Sequence, residues 1–343
     1  MFIANQLRDR FIEARAYAER GRSSEQRAPA EALGWYDRAL ASLNEGTSEV
    51  LADVLRWKGT AHRELGDTAE ADRLYQRSEA VARELGYLGG QAHAANCRAI
   101  VAQRRGDWTG AELLYATAST LALQAGDARL GAMVQRNLGV LAAVRGEPES
   151  ALAHYRESLR IAESVADEDG IARALNNIGV VHSEQGRAGD AEEAFERVLH
   201  MARARGDAAV ECTSLLNLAE LGLRTGRGES VEARCFEATA IADRRGDRLR
   251  RAEALRLLAE VWRQRGELER SSAALDEALT LSDGGEDVML AGEIWRAQAD
   301  LRALCGSVVL AREAFGKARD LFSEVGAAKQ VAQVEAAIAQ LSS

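Results

Sequence analysis

Asparagine and arginine recur at matched points along this chain. Arg56, Asn96, Arg136, Asn176, Arg256 and Arg296 fall on one series of forty-residue steps, interrupted by Leu216. One residue further on, the same steps give Trp57, Cys97, Asn137, Asn177 and Asn217. A carboxamide both donates and accepts, so a row of asparagines can hydrogen-bond an extended peptide backbone without reading its side chains. Arginine adds planar, bidentate contacts to carboxylates. Arg173 lies three residues before Asn176 and so shares its helical face. Asparagine costs a helix interior roughly 0.5–0.7 kcal/mol relative to alanine. Two side by side, in RALNNIGVVHSEQG (173–186), therefore point to a task other than helix formation. The chemistry on offer is recognition.

Bond-making chemistry has no comparable support. The chain contains no GxxxxGK[ST], HExxH or GxSxG pattern. TGRGES (225–230) reads as a turn, because Gly226 belongs to a regular glycine series. ADEDG (166–170) lacks the alternating ligands and terminal Glu of a calcium loop and reads as a solvated acidic turn. His62, His93, His154, His182 and His200 have no ligand spacing and read as structural or surface residues. Cys97, Cys212, Cys235 and Cys305 are scattered, with no CxxC pair, and read as reduced core fillers. The expectation is a non-enzyme with no metal and no cofactor.

The chain has 343 residues and a net charge of −9 at pH 7, which argues against nucleic-acid partners. No apolar run approaches the ~18 residues of a membrane span, so no membrane insertion is expected. The opening MFIANQLRDR is charged where a signal peptide needs its apolar segment, which implies a cytoplasmic protein. Ala, Leu, Glu and Arg dominate, and there are only two prolines. The chain reads as almost all α, and its Ala/Arg/Glu usage suggests a bacterial source.

The elements that must carry these residues follow from the glycines. Gly66, Gly106, Gly146, Gly186, Gly226, Gly266 and Gly306 are each forty residues apart. A second series runs Gly86, Gly126, Gly206, Gly246 and Gly326, lapsing at Ala166 and at Glu286, which follows Gly285. Glycine just past a helix end supplies a left-handed cap. Each unit is therefore a pair of helices, and the chain is a tandem array of helical hairpins. Seven residues before the first glycine series stand Gly59, Ala99, Gly139, Gly179, Ala219, Ala259 and Ala299, all small. Nine residues after it stand Tyr75, Tyr115, Tyr155, Phe195, Cys235, Leu275 and Phe315, with small residues on either side.

This small–large–small ladder resembles the tetratricopeptide repeat, in the roughly forty-residue form of kinesin light chain, LGN-type adaptors and bacterial peptide-pheromone receptors. The resemblance implies an all-α, right-handed superhelical solenoid of antiparallel hairpins. It divides the chain into a divergent N-terminal hairpin (1–47), seven in-register repeats (48–326) and a capping helix (327–343). RGRSSEQRAP (20–29) reads as a long polar turn in the first of these. The resemblance also implies a concave groove lined by the first helix of each hairpin. Arg56, Trp57, Asn96, Arg136, Asn137, Arg173, Asn176, Asn177, Asn217, Arg256 and Arg296 would line it. Asn137, Asn177 and Asn217 match the asparagines that grip target backbones in the first two of those families. Glu253 and Glu293, beside Glu220, Glu260 and Asp300, are expected to neutralise Arg256 and Arg296 internally, leaving Arg56 to Asn217 as the ligand surface. The implied role is a scaffold for a protein or peptide partner, with self-association through the end repeats a further option. A ligand-responsive sensor acting on a separate output protein is the alternative.

Overall fold

The computed structural model describes residues 2–25, 28–43, 47–283 and 287–341, with side chains from Arg10 onward except at 228 and 229. All regular structure among these residues is helical. The chain divides into two compact units, residues 1–181 and 182–343. The first holds α1 (Phe2–Ser24), α2 (Pro29–Leu43), α3 (Glu49–Glu64), α4 (Thr68–Glu84), α5 (Leu88–Arg104), α6 (Trp108–Gln124), α7 (Ala128–Val144), α8 (Pro148–Ser164) and most of α9 (Glu168–Glu184). The second holds α10 (Ala188–Arg205), α11 (Ala208–Arg224), α12 (Gly228–Arg245), α13 (Arg248–Gln264), α14 (Leu268–Ser282), α15 (Val288–Leu304), α16 (Val308–Glu324) and α17 (Ala328–Gln340). Consecutive helices pack against one another as hairpins, from α1 to α8 in the first unit and from α10 to α17 in the second. No described helix is long and apolar enough to cross a membrane.

The turns follow one design. At Gly66 the chain turns left-handed, with φ +84°. Its N–H donates to the Arg63 carbonyl, and the Asp67 N–H reaches back to the His62 carbonyl. These bonds satisfy carbonyls that the helix end leaves orphaned. The Asp67 carboxylate then accepts the Glu70 N–H at 3.1 Å and starts the next helix. Asp107, Asp127, Asp207, Asp247 and Asp287 cap their helices in the same way. Ala166 takes the left-handed conformation without being glycine, at φ +49°. The lapse at Gly285 and Glu286 lies outside the described residues.

The ladder works by close approach. A methyl group on Gly59 would sit 2.7 Å from the Tyr75 ring, and one on Gly139 would sit 2.5 Å from the Tyr155 ring. Ser78 and Ser158 donate across their hairpins to the Ala52 and Ala132 carbonyls, at 2.6 and 2.7 Å. Hairpins so tied bury an alanine-rich core around the rings of Tyr36, Tyr75, Tyr115 and Phe322.

Two sequence expectations need correction. Arg20 to Ser24 continue α1, so the polar turn is shorter than RGRSSEQRAP suggests; residues 26 and 27 lie outside the described set. A run of long polar side chains is no barrier to helix when Pro29 fits the first turn of the next one. Cys97, Cys212 and Cys235 are buried, and burial pushes the last two thiols up to about 11 and about 12. Cys305, however, is exposed in the turn after α15 and fills no core.

Candidate peptide-binding face

Packing beyond nearest neighbours selects one set of helices. In the first unit α1 touches α3, α3 touches α5 and α5 touches α7; in the second, α11 touches α13 and α13 touches α15. Helices α1, α3, α5 and α7 thus form the tighter, inner wall of the first unit and α11, α13 and α15 that of the second, while α9 shares a cavity with α5 and α7. All eleven candidate residues lie on them. Arg56 and Trp57 sit on α3, Asn96 on α5, Arg136 and Asn137 on α7, and Arg173, Asn176 and Asn177 on α9. These eight belong to the first unit. Asn217 on α11, Arg256 on α13 and Arg296 on α15 belong to the second.

At the N-terminal end the Trp57 ring is flanked by the guanidiniums of Arg22 and Arg56, at 5.0 and 5.3 Å. Arg56 is also paired to Asp53 on its own helix at 3.1 Å. Asn96 is 3% exposed, so it offers nothing to a groove. Its side-chain oxygen accepts the Asn137 amide at 2.9 Å, joining α5 to α7. Those two amides set register between neighbouring repeats. Asn176 and Asn177 are half-buried, and Asn176 has partners of its own. Asn217 is likewise half-buried and engaged.

Arg256 belongs to the frame of the second unit and is no groove contact. It is 9% exposed and donates to Glu220 of α11, with Glu293 of α15 at the same 3.2 Å. Burial works to strip its proton, but Glu293, Glu220 and Glu253 outweigh it and hold the charge. Glu253, paired to Arg250 at 2.5 Å, has its carboxyl raised by burial. Arg296 is half-buried and donates to Gln333 of α17 at 3.4 Å.

The first unit holds a cavity of about 450 Å³ between the N-terminal turns of α5, α7 and α9. Arg136 and Arg173 line it, together with His93, Met133, Asp127 and Asp167. Burial lowers the proton affinity of Arg136, and the neighbouring Arg173 charge lowers it further. Burial pushes the His93 imidazole down to about 4, which leaves it neutral at pH 7, 4.0 Å from Asp127. Asp127 is occupied as the α7 cap, accepting the Leu130 N–H at 2.9 Å. The acidic turn at 166–170, read from sequence as merely solvated, supplies Asp167, Asp169 and Gly170 to the cavity wall. His93, Met133 and Arg173 are themselves forty residues apart, a signal that the search for asparagine and arginine passed over. No cluster among the described residues has the makings of a metal site.

The sequence profile of the tetratricopeptide repeat matches residues 90–164 and 132–204. No curated protein matches by sequence. Among solved structures, the apo form of RapI superposes with a TM-score of 0.66 at 11% identity, over 96% of this chain and 97% of its own. The apo quorum sensor NprR from B. thuringiensis gives 0.59 at 10% identity, over 96% and 98%. The Rap conjugation gene regulator of plasmid pLS20, in complex with the Phr* peptide, gives 0.58 at 17%, over 80% and 75%. These likenesses establish a shared fold. The glycine-punctuated hairpins and the close-packed ladder continue on both sides of the matched stretch, so residues 90–204 carry tetratricopeptide repeats and the chain shares the fold of tetratricopeptide-repeat solenoids.

Proposed function

We propose that the inner wall of the first unit, formed by α3, α5, α7 and α9, holds an extended peptide or partner segment, and that the protein is an interaction scaffold without catalysis of its own. The cavity beside Arg136 and Arg173 carries this reading, because it opens a polar recess in the wall, where Asn96 and Asn137, and Arg56 and Asp53, are taken up by each other. Asn177 lies one helical turn beyond Arg173 and is half-buried, which supports a role for its amide in bonding a backbone along the wall. Fold neighbours support the same use, one being a complex with the Phr* peptide. The partner is a protein or peptide met in the cytoplasm.

A peptide-display selection on the full chain tests the reading. Selected peptides should bind the wild type at least tenfold more tightly than the Asn177→Ala/Arg173→Ala variant, whose helical circular dichroism should be unchanged. Equal binding by both proteins would sink the assignment of this wall. A second reading, a sensor acting on a separate output protein, is favoured by the fold shared with NprR, a quorum sensor. For it, peptide binding must change the affinity of the chain for a second protein, which a pull-down with and without peptide measures.

A further inference from the structure

Four arginines occupy the same repeat position: Arg56, Arg136, Arg256 and Arg296. Residues three apart on a helix are neighbours, so an acid three places upstream can neutralise each arginine within the wall, as can acids of the flanking helices. Upstream of Arg56, Arg256 and Arg296 stand Asp53, Glu253 and Glu293. Arg56 takes Asp53 at 3.1 Å, and Arg256 is held by Glu293 and Glu220 at 3.2 Å each. Upstream of Arg136 stands Met133. Forty residues further on, where Arg256 finds Glu293, Arg136 finds Arg173.

The outcome is two guanidiniums on one cavity, neither in an ion pair among the described residues, with Arg173 depressing the proton affinity of Arg136. Of the acids of the cavity wall, Asp127 caps α7 and Asp169 has contacts of its own. Asp167, beside Gly170 in the first turn of α9, forms no ion pair among the described residues and raises the proton affinity of Arg136 by less than Arg173 lowers it. His93 contributes no charge at neutral pH. A space of about 450 Å³ lies at the small end of the range for ligand sites, ~300–1,000 Å³, suited to one side chain or chain end.

We infer that the Arg136–Arg173 pair is a seat for an oxyanion, and that it receives a carboxylate of the bound peptide, from an Asp or Glu side chain or the C-terminus. A carboxylate between two guanidinium forks takes charge-assisted hydrogen bonds from both and cancels their mutual repulsion. The inference rests on the peptide-binding reading for the source of the carboxylate; the oxyanion seat itself can be tested without a peptide.

The critical variant is Met133→Glu, which gives Arg136 the upstream acid that its counterparts have and leaves both guanidiniums and Asn177 in place. Succinate and inorganic phosphate are titrated at low ionic strength into wild type and variant, following the Arg136 and Arg173 side-chain Nε–H resonances. Saturable shifts are expected in the wild type, with affinity reduced at least tenfold in the variant. In the display selection, wild-type binders should share an acidic residue whose change to the amide weakens binding at least tenfold, and weakens it little on Met133→Glu. Absence of anion-induced shifts, or equal anion binding by the variant, overturns the seat, even where peptides still bind through Asn177. Phosphate bound at least tenfold more tightly than both succinate and the selected peptides overturns the carboxylate in favour of a free phosphate ligand. Succinate binding that Met133→Glu abolishes, in a chain that selects no peptide, upholds the seat and refutes the peptide-binding reading.

Discussion

Replacing Arg256 by methionine removes the cation that Glu220 and Glu293 each approach to 3.2 Å, and leaves Glu253 buried nearby. Each contact at that distance is worth about 5 kcal/mol at an effective dielectric of 20, before the relief of desolvating the guanidinium is subtracted. The two contacts are unequal. The Glu220 side chain is 47% exposed and screened by water, whereas Glu293 is 27% exposed. Removing one partner from a buried ion pair costs about 3–5 kcal/mol, and the exposure of Glu220 places this case near ~3. For a unit of this length that lowers the thermal midpoint by about 6–12 °C. Urea denaturation followed by circular dichroism, which adds no salt, measures the loss directly. The sign with pH is also fixed. The Glu253 carboxyl is already raised by burial, and without Arg256 it loses a cation that lowers it, so its folded pKa lies further above the unfolded one. Its penalty is then full above that folded value and is relieved as pH falls through it. The gap between wild type and Arg256→Met should therefore narrow from pH 7 to pH 5. The triple variant with Glu220→Gln and Glu293→Gln should recover most of the loss at pH 7. A loss under 1 kcal/mol, or a gap that widens on acidification, would refute the role given to Arg256.

Ala166→Gly should stabilise the first unit by about 0.5–1 kcal/mol, since the left-handed turn at φ +49° strains a Cβ that glycine lacks; thermal denaturation reads it. Gly139→Ala should instead destabilise by about 1–3 kcal/mol, because the new methyl meets the Tyr155 ring at 2.5 Å and the clash outweighs the gain in helix propensity. His93, held down to about 4, should show no imidazole titration by NMR near pH 6.5. Between about pH 6.5 and 4 the unfolded chain binds a proton there that the folded chain refuses, so stability falls with acidification, and His93→Gln should flatten that slope.

Most of the architecture was legible because its signals repeat. A left-handed turn asks for glycine wherever it occurs, so a series such as Gly66, Gly106 and Gly146 exposes the hairpins without any coordinates. The close approach of Gly59 to Tyr75 was readable for the same reason, since a ring needs a small residue opposite it. Pairing was less legible. Asn96 and Asn137 look alike in sequence as binding amides, yet they satisfy each other, because two half-turns on adjacent helices bring them within 2.9 Å. Arg136 and Arg256 share a repeat position and differ in surroundings, because the places of Glu220 and Glu293 beside Arg256 are taken by Ile100 and Arg173 around Arg136. Reading positions in isolation hides that relation. The acidic turn at 166–170 is solvated, as read, but its place in a cavity wall was hidden, as its neighbours in space come from α5 and α7.

The recurrent turn has a consequence for how such a chain changes in length. At Gly66, Gly106, Gly146, Gly186, Gly226, Gly266 and Gly306 the backbone adopts nearly one conformation, with φ between 73° and 84°. A crossover between any two of these points removes or adds whole hairpins while leaving a turn of unchanged geometry at the splice. Insertions of other sizes would throw a close-packed residue out of phase with its ring. The chain is thus free to grow and shrink in steps of one repeat, and each added copy arrives with an inner-wall position open to a new side chain.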